Sequence, residues 1–193
     1  MSDSTGAWPS VSQTLSGMGE QGAADEHSGS FTFSIPLPSL PGARQVTPDL
    51  SLTYSSASSQ SPFGLGTGLN LQRFERQTHY GVPTYTDEDT FLYNGVELIS
   101  NNEPPRQVTA YDISYSVSTY VPRYESSYDR IERWTQTSSN DFFWRIQDRS
   151  NRVTLFGKSR TSRITDPANE ERVYAWLQEQ IFTSRGDVIL YEY

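Results

Sequence analysis

The stretch Thr90-Phe91-Leu92-Tyr93-Asn94-Gly95-Val96-Glu97-Leu98-Ile99 decides the fold class. Two short runs rich in aromatic and branched residues flank Asn-Gly, the dipeptide that tolerates positive φ at both centres of a type I′ turn. This predicts a two-residue β-hairpin. The text on either side repeats the pattern. Toward the N-terminus, Asn70–Gln77 reads as a strand. Before it, Pro62-Phe63-Gly64-Leu65-Gly66-Thr67-Gly68-Leu69 carries Gly at alternate positions, as where a backbone passes too close for a Cβ. Leu50-Ser51-Leu52-Thr53-Tyr54 and Phe31-Thr32-Phe33-Ser34-Ile35 alternate apolar and polar with the period of a half-buried strand. Pro36, Pro38 and Pro41-Gly42 end the latter.

Toward the C-terminus, Asn101–Arg106 is a loop with two prolines. Gln107–Tyr120 reads as one alternating strand with Tyr111, Ile113, Tyr115 and Val117 on one face. Pro122 interrupts it, and Arg123–Gln136 reads as a further strand with a bulge or bend. Turns at Ser138-Ser139-Asn140 and Asp148–Asn151 bracket a strand over Phe142–Gln147. Arg152–Phe156 follows and stops at Gly157. Glu170–Phe182 reads two ways. Asp166-Pro167 followed by Val173, Leu177 and Ile181 fits a helix. The strand formers Val173, Tyr174, Trp176 and Phe182 favour a long hairpin with Val188–Tyr191 across the turn Ser184–Asp187.

Composition agrees. The 193 residues include 4 Trp, 12 Tyr and 9 Phe, abundant Ser and Thr, and a single lysine, Lys158. Large aromatics and hydroxyl side chains suit strands better than helices. The expected fold is all-β: many short antiparallel strands and hairpins forming curved sheets. Residues 1–28 are Gly/Ser-rich and are expected to form a flexible arm that carries Glu20, Asp25 and Glu26. Residues 29–193 are expected to form the β domain.

Several functions are disfavoured from the outset. With no cysteine there is no disulfide framework and no thiolate site. A net charge of −8 without a basic patch argues against nucleic-acid partners. No run of about 18 apolar residues exists to span a membrane, and the N-terminus lacks the basic and apolar regions of a Sec signal. Gly17-Met18-Gly19-Glu20-Gln21-Gly22 matches G-x-G-x-x-G in letters, but neither the preceding strand nor the following helix of a dinucleotide site is present. Asp87, Glu88 and Asp89 lack calcium-loop spacing. His27 and His79 form no zinc motif, and no G-x-S-x-G elbow presents a serine. The residues therefore nominate no catalytic residue, metal ligand or cofactor.

The chain nevertheless resembles a known family. Gly29-Ser30-Phe31-Thr32-Phe33-Ser34-Ile35-Pro36-Leu37-Pro38, Thr47-Pro48-Asp49-Leu50-Ser51-Leu52-Thr53-Tyr54-Ser55 and Pro62-Phe63-Gly64-Leu65-Gly66 look like the opening of an SpvB-type domain. Asp89-Thr90-Phe91, Gly95-Val96-Glu97-Leu98, Ile131-Glu132-Arg133-Trp134, Phe156-Gly157-Lys158 and Ile164-Thr165-Asp166-Pro167-Ala168 continue the match. Thr67 stands where the family usually has Trp. Such a domain begins the B component of insecticidal toxin complexes (Tc toxins) and the virulence proteins that give it its name. The resemblance implies a β-sheet shell that encloses a cleaved toxic cargo, with the remaining shell and the A component as partners. Family proteins run on for many hundreds of residues, so the chain is expected to be either a piece of a longer protein or a short homologue that pairs with something else. It is expected to be made in the cytoplasm without a Sec signal and to act outside the cell.

The leading functional expectation is thus a non-enzymatic shell segment of a secreted toxin complex. A stand-alone β-module that binds a partner through an edge strand is one alternative, and a carbohydrate- or ligand-binding β protein is another. The candidate interaction residues are Val188, Ile189, Leu190, Tyr191 and Tyr193, on a strand whose outer edge invites pairing or self-association.

Overall fold

The computed structural model describes residues 21–24, 29–39, 47–58, 60–61, 63–110, 112–124 and 127–193. Most of the expected arm, with the glycine-rich stretch Gly17–Glu20, lies outside the described residues. The chain divides into two compact units, Met1–Asn70 and Leu71–Tyr193. The boundary expected between residues 28 and 29 separates an arm from the β domain and is a different division. Each unit pairs its own strands.

In the first unit, β1 (Gln21–Ala24), β2 (Phe31–Pro36), β3 (Ser51–Ser55) and β6 (Thr67–Leu69) form one antiparallel sheet in that order. The pair β4 (Gln60–Ser61) and β5 (Gly64–Leu65) stands apart. Residues 21–24 were expected in the flexible arm but pair with β2. A Cβ on Gly22 would make ordinary van der Waals contact with the Phe31 ring at 3.4 Å. Gly66 (φ +73°) is buried, and a Cβ there would lie 2.6 Å from the Ser55 carbonyl oxygen. The close passage expected of this glycine-rich stretch is therefore present.

The second unit is a barrel. Its strands are β7 (Arg73–Arg76), β8 (Phe91–Tyr93), β9 (Val96–Ser100), β10 (Arg106–Ala110), β11 (Ile113–Pro122), β12 (Arg130–Gln136), β13 (Phe142–Gln147), β14 (Val153–Phe156), β15 (Arg163–Asp166), β16 (Asn169–Phe182) and β17 (Val188–Leu190). Eight of them run in the order β11-β12-β13-β14-β16-β7-β8-β9, and β9 pairs back onto β11 through Val121↔Ile99, closing the ring. Every neighbouring pair is antiparallel. The ambiguous segment is the 14-residue strand β16 and not a helix. It pairs with β14 and β15 on one edge and with β7 and β17 on the other. That central position explains the continuous apolar run Val173–Leu177 in its middle.

All eight barrel strands contribute to one core: Phe74, Phe91, Leu98, Tyr120, Ile131, Trp144, Phe156 and Trp176, one from each. A small barrel is filled by such inward side chains. Phe74 stacks on Trp144 with centroids 4.5 Å apart and planes 3° apart. Phe91 meets Trp144 and Trp176 edge-on at 5.2 and 5.8 Å. Alternation puts a second, smaller cluster of Phe143, Val153 and Leu155 on the opposite face of the same strands, with Tyr115, Trp134 and Phe182 packed on it.

Two readings of strand extent change. Gln107–Tyr120 is not one strand but the hairpin β10–β11, with Asp112 at φ +63° in its turn. Short polar side chains such as Asp tolerate that region. The strand expected over Arg123–Gln136 begins only at Arg130, and Tyr124 and Tyr128 are exposed.

Candidate functional site

Three places in the barrel unit could carry function: its open mouth, the attached edge strands, and a charge cluster outside the barrel wall.

At the mouth, two arginines cap the aromatic core. Arg76 is buried, donates from Nε to the Val173 carbonyl (3.0 Å), and pairs through Nη1 with Asp89 (2.7 Å). Its guanidinium lies 5.0 Å from the Phe91 centroid and 5.5 Å from that of Trp176. Burial lowers its pKa, against the pull of Asp89. Burial works on the Asp89 carboxyl in the opposite sense, but hydrogen bonds from the Thr84 amide and hydroxyl and from the Tyr85 amide outweigh it and hold Asp89 below the usual carboxylate range. Arg133 sits over the Phe142 ring at 5.0 Å and pairs with Asp87.

A cavity of about 840 Å³ opens here, with Arg76, Tyr85, Asp141, Phe142, Arg163 and Trp176 among its walls. Of its four carboxylates, Asp87, Asp141 and Glu170 are each paired with an arginine, and Glu171 is exposed at the rim. No histidine lines it, and His79 is exposed, edge-on to Tyr80 at 4.9 Å. Ser162 Oγ donates to Glu179 Oε2 at 2.8 Å, and the same carboxylate oxygen accepts from the Ser159 amide at 2.9 Å, so the contact ties the turn to β16. Among the described residues, no group of three or more His, Asp or Glu could hold a metal ion. The exposed rings of Tyr80, Tyr124 and Tyr128 lie outside the cavity, whereas Trp144 and Trp176 are fully buried. That is the arrangement of core packing rather than of a sugar platform.

The sequence-nominated residues lie together on β17 and the residues after it. Val188 pairs with Phe182, Ile189 with Ile181 and Leu190 with Gln180. The second edge of β17 meets no strand among the described residues. Val188 and Leu190 are more than half exposed, and Ile189 is half-buried. The Tyr191 amide donates to the Glu179 carbonyl (2.8 Å). Tyr193 differs from a freely displayed aromatic. Its hydroxyl donates to the Gln178 carbonyl at 2.7 Å, and burial pushes its pKa up to about 12.

Two features escaped sequence reasoning. The first is a second edge, β10, which among the described residues pairs with β11 alone. Its signal was present: the apolar positions switch from even (Val108, Ala110) to odd (Ile113, Tyr115, Val117), the phase change of a two-residue turn. The second is Glu132, a fully buried carboxylate on the outward face of β12. It accepts from Arg106 Nη2 (3.3 Å), Arg130 Nε (2.8 Å), Arg145 Nη1 (2.8 Å) and Trp134 Nε1 (2.9 Å).

Comparison with known proteins places this architecture. The family model described as SpvB, Salmonella virulence plasmid 65kDa B protein, matches residues 25–193. The mono(ADP-ribosyl)transferase SpvB of Salmonella typhimurium is 34% identical over 96% of the chain, and the chain spans only 32% of that protein. The solved N-terminal domain of effector protein SpvB from Salmonella typhimurium strain LT2 superposes with a TM-score of 0.73 at 34% identity, covering 82% of this chain and 54% of that one. A chain of the Tc holotoxin pore of Photorhabdus luminescens superposes with a TM-score of 0.84 at 35% identity, covering 92% of this chain and 8% of that one. The chain thus belongs to the SpvB family, whose members include components of Tc toxins and Salmonella virulence effectors.

Proposed function

We propose that this chain is a non-enzymatic structural segment of a secreted toxin complex, a piece of the shell that encloses and delivers a toxic cargo. The observation that carries this reading is the overlay of 92% of the chain on a small part of a Tc holotoxin chain. A module occupying 8% of so large a polypeptide works as a building block of the assembly. The barrel interior supports this, because it is filled with packed aromatics. The transferase activity in the name of the Salmonella relative belongs to a protein about three times as long. The complex acts outside the producing cell, with the remaining shell components as partners.

Two experiments test this. A chimera in which this chain replaces the matching segment of the Photorhabdus holotoxin chain is expected to assemble a closed shell, and failure to assemble while the chain itself stays folded contradicts the reading. Incubating the chain with labelled NAD and a eukaryotic lysate is expected to label no protein. Label transfer would make it an enzyme.

A second reading, a stand-alone module that pairs with a partner through an edge strand, rests on the exposed edge of β17. It is distinguished by stable binding of a strand-donating partner in the absence of other shell components.

A further inference from the structure

Arg106, Arg130 and Arg145 converge on one carboxylate, and none of the three has a second ion pair among the described residues. The cluster therefore carries two surplus positive charges on a chain whose net charge is −8. Glu132 is saturated, because four donors occupy the roughly four acceptor positions of a carboxylate. The guanidiniums are not. Each offers five N–H groups, and Arg106 and Arg130 remain more than half exposed. Three cations held around one buried anion repel one another, and a second anion relieves that repulsion. All three are arginines, whose planar fork takes a carboxylate through two parallel hydrogen bonds.

The surroundings say what form that anion takes. Arg106 is the first residue of β10, and among the described residues β10 pairs with β11 alone. The face that carries Arg106 also carries Val108 and Ala110, so a strand laid along the free edge meets an arginine and then two small apolar side chains.

We propose that the free edge of β10, with Arg106, Arg130 and Arg145, is a docking site for an extended acidic segment of a partner polypeptide. The segment adds as a strand beside β10 and sets a carboxylate between Arg106 and Arg130. Backbone pairing supplies affinity and the arginines supply register and choice of partner. The site depends on the geometry of β10–β13 and not on the shell role.

The test titrates the intact chain with a six-residue peptide alternating Glu and Thr, read by calorimetry and by amide exchange. Binding that slows exchange in β10, weakens as salt rises, and fails with a Gln-for-Glu peptide is the expected result. Arg106→Gln and Arg130→Gln are each expected to weaken binding about tenfold, the size of one charge-assisted contact at an interface. Arg145 is left intact in these variants so that Glu132 keeps a partner. Should either variant lose its near-UV circular dichroism, the Gln-peptide and salt comparisons on the unaltered chain decide alone. Equal affinity for the Glu and Gln peptides, or protection confined to strands other than β10, overturns the proposal. Competition by inorganic phosphate without any protection of β10 overturns it too, because the cluster would then be a free-anion site.

Discussion

Asn94 and Gly95 have φ of +48° and +80°, as the two centres of the turn require. A Cβ on Gly95 would meet nothing within 4 Å. Gly95→Val is therefore a test of backbone strain alone, with an expected loss of about 1 kcal/mol in urea unfolding. Gly66 differs, because its Cβ would strike backbone oxygen. Gly66→Ala is expected to cost about 2 kcal/mol or more, and to speed amide exchange at Ser55, whose N–H donates to the Gly66 carbonyl at 2.8 Å. Comparable losses for the two variants would contradict the close approach at Gly66. Asp89 gives a pH signature. Its carboxyl is depressed in the folded state, so its stabilisation is complete above the unfolded value of about 3.9 and is lost as pH falls through the folded value. Asp89→Asn leaves Arg76 buried without its counter-charge and is expected to cost about 3 kcal/mol at pH 7. The gap between variant and parent narrows below about pH 4. A gap independent of pH would exclude the ion pair as its source.

At the scale of elements, legibility followed sequence distance. The β8–β9 hairpin was plain because two residues of turn chemistry fix it. Phe142–Gln147 was plain because Asn140 and Asp148 bound a run of strand formers. The β10–β11 turn was not, since Asp112 is a weaker turn marker than Asn-Gly. The choice between strand and helix for Asn169–Phe182 needed partners from four other strands, β7 among them and about 100 residues earlier in the chain. No local pattern encodes that pairing. The convergence on Glu132 was hidden for the same reason: Glu132↔Arg145 depends on register, and Arg106 arrives from a hairpin read as one strand. The strand reading of Val188–Tyr191 holds over Val188–Leu190, but the clamp from Tyr193 to Gln178 depends on a fold-back that period-two alternation does not specify. If β17 is a sticky edge, a charge on it blunts association. Val188→Lys is expected to lower the association of the chain without moving its unfolding midpoint by more than about 0.5 kcal/mol, the usual range for surface changes. An unchanged association in this variant would move the contact surface away from β17.

For the molecule as a whole, closure of the barrel removes eight strands from the pool of available edges. Among the described residues, β10, β15 and β17 remain attached to that ring with one side each unpaired. A barrel packed with Phe74, Trp144 and Trp176 also differs from a membrane-spanning one, whose lumen is polar and whose strands run about 9–11 residues; β8 has three. We propose that the outside of the barrel, its edges and its charges, is what a neighbouring chain takes up. Light scattering of the purified chain across a concentration series reaching tens of micromolar measures this most directly. Assembly through exposed edges predicts an average mass that climbs above 21.8 kDa with concentration, and falls back when an edge-blocking strand peptide is added. A constant mass of 21.8 kDa, unmoved by concentration or peptide, would contradict the reading of this chain as a building block that pairs through its edges.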